Sequence, residues 1–301
     1  MLVVIDVIGL YDNIPPEEGV NSVGKSLEER PTSTVPSGFI LRLLHIILDY
    51  SISEFNETLY QQQFGTSMGS KPAPSYANNF MARNIDIKLY EIANKYQVNG
   101  QIPMKHMKRF LDDIFLVFLG SIQTLHLFLD EINSVHPTIK FTMSHTTPSA
   151  SIEQQSICPC PNMKSIPYLD TSCEIKEGKI VTDLYRKPTD KNQYLLTSSC
   201  HPAECLQSIP YSLCTRINRI CMEEPTRDLR FHEMKEMLLD REYSTGVIDA
   251  AIAKARAIPR HVALRRVPRQ EITNRPAFVV CFDPRLPSIP KIINKHWLVA
   301  I

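Results

Sequence analysis

The stretch KRFLDDIFLVFLG, residues 108–120, sets two adjacent carboxylates, Asp112 and Asp113, inside an otherwise apolar, strand-like run. Burying even one unpaired carboxylate is costly, and this run threatens to bury two. Three arrangements relieve the conflict: a tight turn that tips both groups into water, a basic partner, or a metal ion that makes the charge necessary. KHMKRFL and IFLVFLG both read as strands, so the aspartates fall at the turn of a hairpin. Two acids at one tip repel each other, and a divalent cation relieves that repulsion. An Asp-Asp pair at a turn is also ordinary solvated turn chemistry, so the rest of the chain must decide.

A chain of 301 residues, 43% of them hydrophobic, can enclose a sizeable core as one large or two small domains. The formal net charge is only +1, so any basic surface must be local. No apolar run reaches the roughly 18 residues that cross a bilayer. The opening MLVVIDVIGLY has neither the charged lead nor the small-residue cleavage site of a signal peptide. Eight scattered cysteines suit free thiols in a reducing, intracellular compartment, and only the resemblance drawn below narrows that expectation to the nucleus.

Residues 1 to about 150 alternate short apolar strands with helical patterns, as an α+β sheet domain should. LVVID is a buried strand. PPEEGVNSVGKSLEE opens a helix on Pro15, Pro16, Glu17 and Glu18. SGFILRLLHIILDY forms a second, with Ser37 as its expected cap. In a third, SYANNFMARNIDIKLYEIANKY, residues Ala77, Met81, Ile85, Leu89 and Ile92 recur on one face. SIQTLHLFLDEIN is a fourth. From about 151 to 190 the chain reads as strands, with a hairpin turn at Glu177 and Gly178. From about 191 to 260 it turns helical: IPYSLCTRINRICM, TRDLRFHEMKEMLLD and STGVIDAAIAKARAI. The tail, 261–301, is rich in arginine and proline and reads as a linker or weakly ordered extension.

Asp6 ends the buried strand LVVID and supplies a third carboxylate. With Asp112 and Asp113 it could complete a site for two magnesium ions. Two ions roughly 3.5 to 4 Å apart can activate a 3′-hydroxyl and stabilise the leaving pyrophosphate of an in-line phosphoryl transfer. In QQQFGTSMGSKPAPSYANNFMA, Gly65 and Gly69 lie in a loop that enters a helix, where a missing Cβ lets backbone approach a base or phosphate closely.

An aspartate with an aromatic five residues on, a glycine-bearing loop entering a helix, and hydrophobic-Asp-Asp occur here in that order. They resemble the palm of reverse transcriptases, and most closely the Penelope-like retroelement reverse transcriptases, relatives of telomerase. The residues that carry the resemblance are DVIGLYDNIP (6–15), QFGTSMGSKPAPSYANNFMA (63–82), RFLDDIF (109–115), IKFTM (139–143), IPYLDTSCEI (166–175), LYRKPTDKNQYLL (184–196) and HPAECLQSIPYSLCTRINRIC (201–221).

The resemblance implies an α+β palm, an antiparallel sheet with helices on one face, over residues 1–165. It further implies a primer-grip hairpin at 166–190 and a helical, helix-turn-helix-like thumb at 191–260, before the basic, proline-rich tail at 261–301. The implied activity is RNA-directed DNA polymerisation on an RNA template and DNA primer from deoxynucleoside triphosphates. Magnesium or manganese would be held by Asp6, Asp112 and Asp113. Tyr11 would block the 2′-hydroxyl of a ribonucleotide, Gly65 and Gly69 would border nucleotide and template, and Lys140 would protonate the pyrophosphate. Tyr11 as a core aromatic and Lys140 as a surface lysine are the plainer alternatives.

Only five residues precede Asp6, and nothing after RPAFVVCFDPRLPSIPKIINKHW resembles a GIY-YIG endonuclease, so the chain is expected to be a piece of a longer element. The stripe from Lys254 to Arg275, which includes Arg256, Arg260, Arg265, Arg266 and Arg269, is a candidate phosphate-binding surface. The alternative function is a catalytically inactive nucleic-acid-binding remnant. Residues 226–257 also admit a reading as a DNA-binding helix-turn-helix.

Overall fold

The computed structural model describes residues 1–32, 34–97, 104–146, 162–265, 282–285, 287 and 289–296. The chain divides into two units, Met1–Leu169 with Cys173–Ile180, and Asp170–Ser172 with Val181–Ile301.

The first unit begins with strand β1 (Leu2–Val7), followed by α1 (Leu10–Asn13), α2 (Pro16–Glu28), α3 (Ser37–Asp49) and the hairpin β2 (Ile52–Phe55) and β3 (Thr58–Gln61). Helix α4 (Ala73–Phe80) passes through a π-helical segment (Met81–Asp86) into α5 (Ile87–Lys95). Next come β4 (Met104–Phe110), β5 (Asp113–Phe118), α6 (Ile122–Asn133), β6 (Phe141–Thr146), β7 (Asn162–Met163) and β8 (Ser165–Tyr168). The main sheet has the order β4-β5-β1-β6-β7 and is antiparallel except for the short parallel pair β6-β7.

Strand β1 explains why its sequence is apolar almost throughout. Alternate residues face opposite sides of a sheet. Val3, Ile5 and Val7 enter the main core with Phe80, Ile114, Leu116 and Phe128. Leu2 packs on the other side with Ile166 and Cys173, flanked by Val4, Phe115 and Val117. Both faces are therefore covered along β1 until Asp6, which is exposed.

The expected helical stripe is buried: Ala77, Met81 and Ile85 are inaccessible, with Leu89 and Ile92 close behind. Steps of four residues outrun the 3.6-residue turn of an α-helix, so the stripe would drift around a regular helix. The π-helical segment, with its wider i→i+5 bonding, absorbs the excess. Ser37 does not cap α3. It is the first helical residue, after Pro36, and its hydroxyl lies 3.2 Å from an Arg30 guanidinium nitrogen. The β2–β3 hairpin, absent from the sequence reading, turns on Asn56 and Glu57, both left-handed at φ 49° and 60°. That is the signature of a type I′ turn.

Strands β9 (Thr171–Lys176) and β10 (Lys179–Leu184) join β8 in a three-stranded sheet, order β10-β9-β8. They turn at Glu177 and Gly178, with φ 50° and 74°, where the sequence places the hairpin. In the second unit, α7 (Ala203–Ile220), α8 (Glu224–Leu239) and α9 (Thr245–Arg256) pack around Cys214, Ile217, Phe231, Met234, Leu238 and Ile248. Short α10 (Arg260–Ala263) follows. Buried Asn218 donates to the Ala255 and Ile258 carbonyls at 3.1 and 2.8 Å, satisfying the end of α9. Asp183 and Arg230 form a two-bond pair at 3.1 and 2.6 Å. Burial raises the Asp183 carboxyl, but the Arg230 hydrogen bonds and charge outweigh it and hold the group below its ordinary range. Helix α11 (Ile289–His296) lies in the tail expected to lack regular structure; most of that tail is outside the described residues. Among the described residues no helix is long and apolar enough to cross a membrane.

The α2–α4 contact yields a test. A Cβ on Gly19 would lie 2.1 Å from the Tyr76 hydroxyl oxygen and 2.2 Å from its ring carbon, and Tyr76 is almost wholly buried. In an open helix Gly→Ala stabilises by roughly 0.5–1 kcal/mol. Here overpacking of ~1–3 kcal/mol reverses the sign, so Gly19→Ala should lower the thermal unfolding midpoint. A raised midpoint would show that α2 does not rest on Tyr76.

Candidate functional site

The antiparallel register of β1 and β5 sets Asp6 directly opposite Asp113. Opposed residues project to the same side of the sheet, here the side of Val4 and Phe115. Strand β4 ends at Phe110, Leu111 takes a left-handed φ of 54°, and Asp112 completes the turn before β5 opens at Asp113. The Val7 amide donates to the Asp112 carbonyl at 3.1 Å, which ties the turn to the end of β1. The two-acid turn thus stands beside the third aspartate.

The electrostatics follow from that placement. Partial burial, and then the charge of Asp112, push the Asp6 carboxyl above its ordinary value, against an opposing hydrogen bond from the Val7 amide. Burial and then Asp112 likewise raise the Tyr11 hydroxyl. Burial and then Asp113 raise Tyr168, whose ring lies 5.2 Å from that of Phe115. Sequence reading gave Tyr168 no role of its own; its only signal was its place in IPYLD. Among the described residues no ion pair joins Asp6 or Asp112 to a basic group.

Two mutually repelling carboxylates without a cationic partner are hard oxygen donors of the kind that magnesium and manganese take. Among the described residues, however, no three His, Cys, Asp or Glu side chains are grouped to hold a metal ion. The convergence of three carboxylates expected from sequence is not assembled as the side chains stand. The donor set fits an ion bound by one or two carboxylates and completed by water or phosphate oxygens, which is the usual habit of magnesium.

The neighbouring residues depart from their expected roles in instructive ways. Gly65 has φ 73°, and a Cβ there would lie 2.4 Å from the Tyr11 carbonyl oxygen and 2.8 Å from Asp12 backbone atoms. The next amide, of Thr66, donates to that same Tyr11 carbonyl at 2.8 Å. The close approach that Gly65 permits is therefore to the chain's own backbone, and it fixes Tyr11. At Gly69 an added Cβ would meet, among the described residues, the Ser67 hydroxyl alone, at 4.0 Å. Lys140 is committed elsewhere. Its ammonium donates to the Asn133 and His136 carbonyls at 2.7 and 3.1 Å, capping the end of α6.

The basic stripe is partly used up internally. Arg260, a candidate phosphate contact, donates from Nε to the Arg219 carbonyl at 3.0 Å. Lys254 sits 4.4 Å from the centre of the Tyr211 ring, and Arg256 pairs with Asp228 at 2.7 Å. Arg265 is exposed; Arg266 and Arg269 lie outside the described residues.

Residues 193–253 match the animal helix-turn-helix domain family, a span that includes α7, α8 and most of α9. No curated protein matches the sequence. Among solved structures, telomerase from Candida albicans in complex with the TWJ fragment of telomeric RNA is similar at a TM-score of 0.51 and 11% identity, over 84% of this chain and 40% of that one. Apo telomerase from Candida tropicalis has a TM-score of 0.44 and 11% identity, over 85% and 42%. The chain spans about 40% of the C. albicans telomerase it resembles. That first likeness establishes a mixed α/β, telomerase-like fold built on antiparallel sheets.

The raised Asp6 group makes a prediction with a definite sign. A carboxyl whose folded pKa exceeds its unfolded value costs the folded state stability as pH rises through the folded pKa, and nothing in acid, where both states are protonated. Asp112→Asn removes one of the two causes. Without metal, the variant should be more stable than the parent at about pH 7, with the gain fading towards about pH 3. Thermal midpoints across that range measure it; an equal effect at both ends would mean the two carboxyls do not interact.

Proposed function

We propose that this chain is the palm and thumb of an RNA-directed DNA polymerase of the Penelope-like, telomerase-related class. The observation that carries the reading is the Asp6–Asp112 pair, unpaired with any base among the described residues, at the end of the central strand in a telomerase-like fold. On this reading 1–165 is the palm, 166–190 the primer-grip hairpin and 191–260 the thumb.

Asp6 and Asp112 would hold magnesium or manganese, with water or phosphate oxygens completing its shell, and Asp113, opposite Asp6 across the strand pair, would join as a third carboxylate only once a bound ion drew the side chains together. The metal supplies the charge that makes a primer 3′-hydroxyl a better nucleophile and neutralises phosphate oxygens. The chain's own part is positioning. The sheet end presents the acids, the Gly65–Thr66 latch holds Tyr11 at their side, and Tyr11 excludes a 2′-hydroxyl from the sugar pocket. The partners are an RNA template, a DNA primer and deoxynucleoside triphosphates. The C. albicans neighbour was solved with RNA, which supports the nucleic-acid part. The helix-turn-helix match supports a duplex-facing role for the second unit.

Two measurements test this reading. Primer extension on an RNA template with magnesium should fall on the order of 100-fold or more in Asp6→Asn and in Asp112→Asn, as loss of several kcal/mol of charge stabilisation requires. Manganese binding should weaken in both. If the chain binds an RNA–DNA duplex in a salt-dependent way while both variants bind manganese like the parent, the inactive-remnant reading replaces it. Separately, Tyr11→Ala should increase incorporation of ribonucleotides relative to deoxynucleotides; unchanged selectivity in an active protein would reduce Tyr11 to packing.

A further inference from the structure

The turn that carries Asp112 needs an external support. It is the loop end of an edge strand, β4, whose pairing with β5 is already irregular between Lys105 and Lys108. Its pivot, Leu111, is a non-glycine residue in the left-handed region, a conformation that persists only where the surroundings enforce it. A turn free to rock would carry Asp112 with it.

The support comes from Arg109. Its Nε and one terminal nitrogen grip the two oxygens of Asp86 at 2.8 and 2.7 Å. Its other terminal nitrogen donates both to the Asn78 side-chain oxygen at 3.0 Å and to the Leu111 carbonyl at 2.8 Å. The pair is mostly shielded from solvent, with 13% of the Arg109 side chain and 25% of Asp86 exposed. Only a planar guanidinium fork can make this set of bonds at once.

The helical partners are aligned by the π-helical segment. Asn78 precedes it and Asp86 closes it. Eight residues in a regular α-helix would set their side chains about 80° apart around the axis, whereas one residue absorbed by the wider turn leaves about 20°. Both then reach one guanidinium. On its other side the turn is tied to β1, where the Asp112 carbonyl accepts from the Val7 amide.

We propose that Arg109 is a positioning residue: anchored on Asp86 and Asn78, it holds the Leu111 carbonyl and thereby fixes the turn that presents Asp112 and Asp113 beside Asp6. This rests on the reading of those acids as the metal-binding groups, but the restraint on the turn can be measured without metal or activity. The probe is hydrogen exchange at the Val7 amide, with the Phe118 amide, bonded to the Met1 carbonyl at 2.9 Å at the far end of the same strand pair, as internal control. In both Arg109→Ala and Arg109→Lys, exchange at Val7 should accelerate about tenfold, the effect of losing one charge-assisted hydrogen bond, with Phe118 unchanged. Asp86→Asn, which keeps the shape but weakens the anchor, should give a smaller acceleration at the same amide. Equal acceleration at both amides, or none at Val7, would overturn the proposal, because a merely stabilising ion pair loosens the sheet throughout. Manganese affinity should drop in step with Val7 exchange across the series. If the parent protein binds no manganese, the metal reading fails while the exchange result still decides whether Arg109 holds the turn.

Discussion

Pairing of β1 on both of its edges is the constraint from which the rest of the first unit follows. A strand hydrogen-bonded on two sides cannot shift register without exchanging its buried and exposed residues, and here both faces of the strand are packed for most of its length. The one position where an acid is tolerated is near its end, at Asp6, and the register with β5 then dictates that Asp113 stands opposite and Asp112 one residue beyond. Charge clustering at this place is a consequence of sheet geometry as much as of composition.

Such clustering opposes folding, and the surroundings of the acids are correspondingly over-determined. Gly65 is required because Tyr11 and Asp12 backbone atoms occupy the space where a Cβ would sit. Leu111 is held in an unfavourable backbone region by a carbonyl contact to Arg109, and the neighbouring carbonyl is held by Val7. Three segments distant in sequence, the α1 entry, the glycine loop and the β4–β5 turn, are thereby tied down around two acids by two main-chain hydrogen bonds and one bond from a guanidinium to a carbonyl.

What could be read from the sequence was whatever is local and periodic. The apolar run of β1, the Asp-Asp turn, the stripe from Ala77 to Ile92 and the Glu177–Gly178 hairpin each carry their signal within a few residues. The β2–β3 hairpin was missed because all eight of its strand residues are exposed, so no alternation between buried and exposed positions marks them. Helix α7 starts earlier than expected because Pro210 reads as a first-turn residue, whereas the helix runs through it from Ala203. The site residues fared unevenly for a different reason. The partners of Gly65, Lys140 and Arg260 are backbone groups, and a carbonyl leaves no trace in the residue type that bears it.

The same point bears on the second unit. A stretch dense in lysine and arginine suggests a phosphate-binding face, yet cations near a helix end are also the natural partners of its unsatisfied carbonyls. Arg219 donates to the Ala263 carbonyl at 2.8 Å and Arg260 returns a bond to the Arg219 carbonyl, so these two side chains staple α7 to α10. Lys254 and Arg256 lie over aromatic rings of the unit's own core elements. Arg219, Lys254 and Arg256 nevertheless remain exposed, so their internal partners orient them without withdrawing their charge from solvent. Any electrostatic affinity of this unit for nucleic acid is therefore shared among exposed side chains, and those that already hold an internal partner must exchange it for a phosphate, a cost that Arg219 and Arg256 carry.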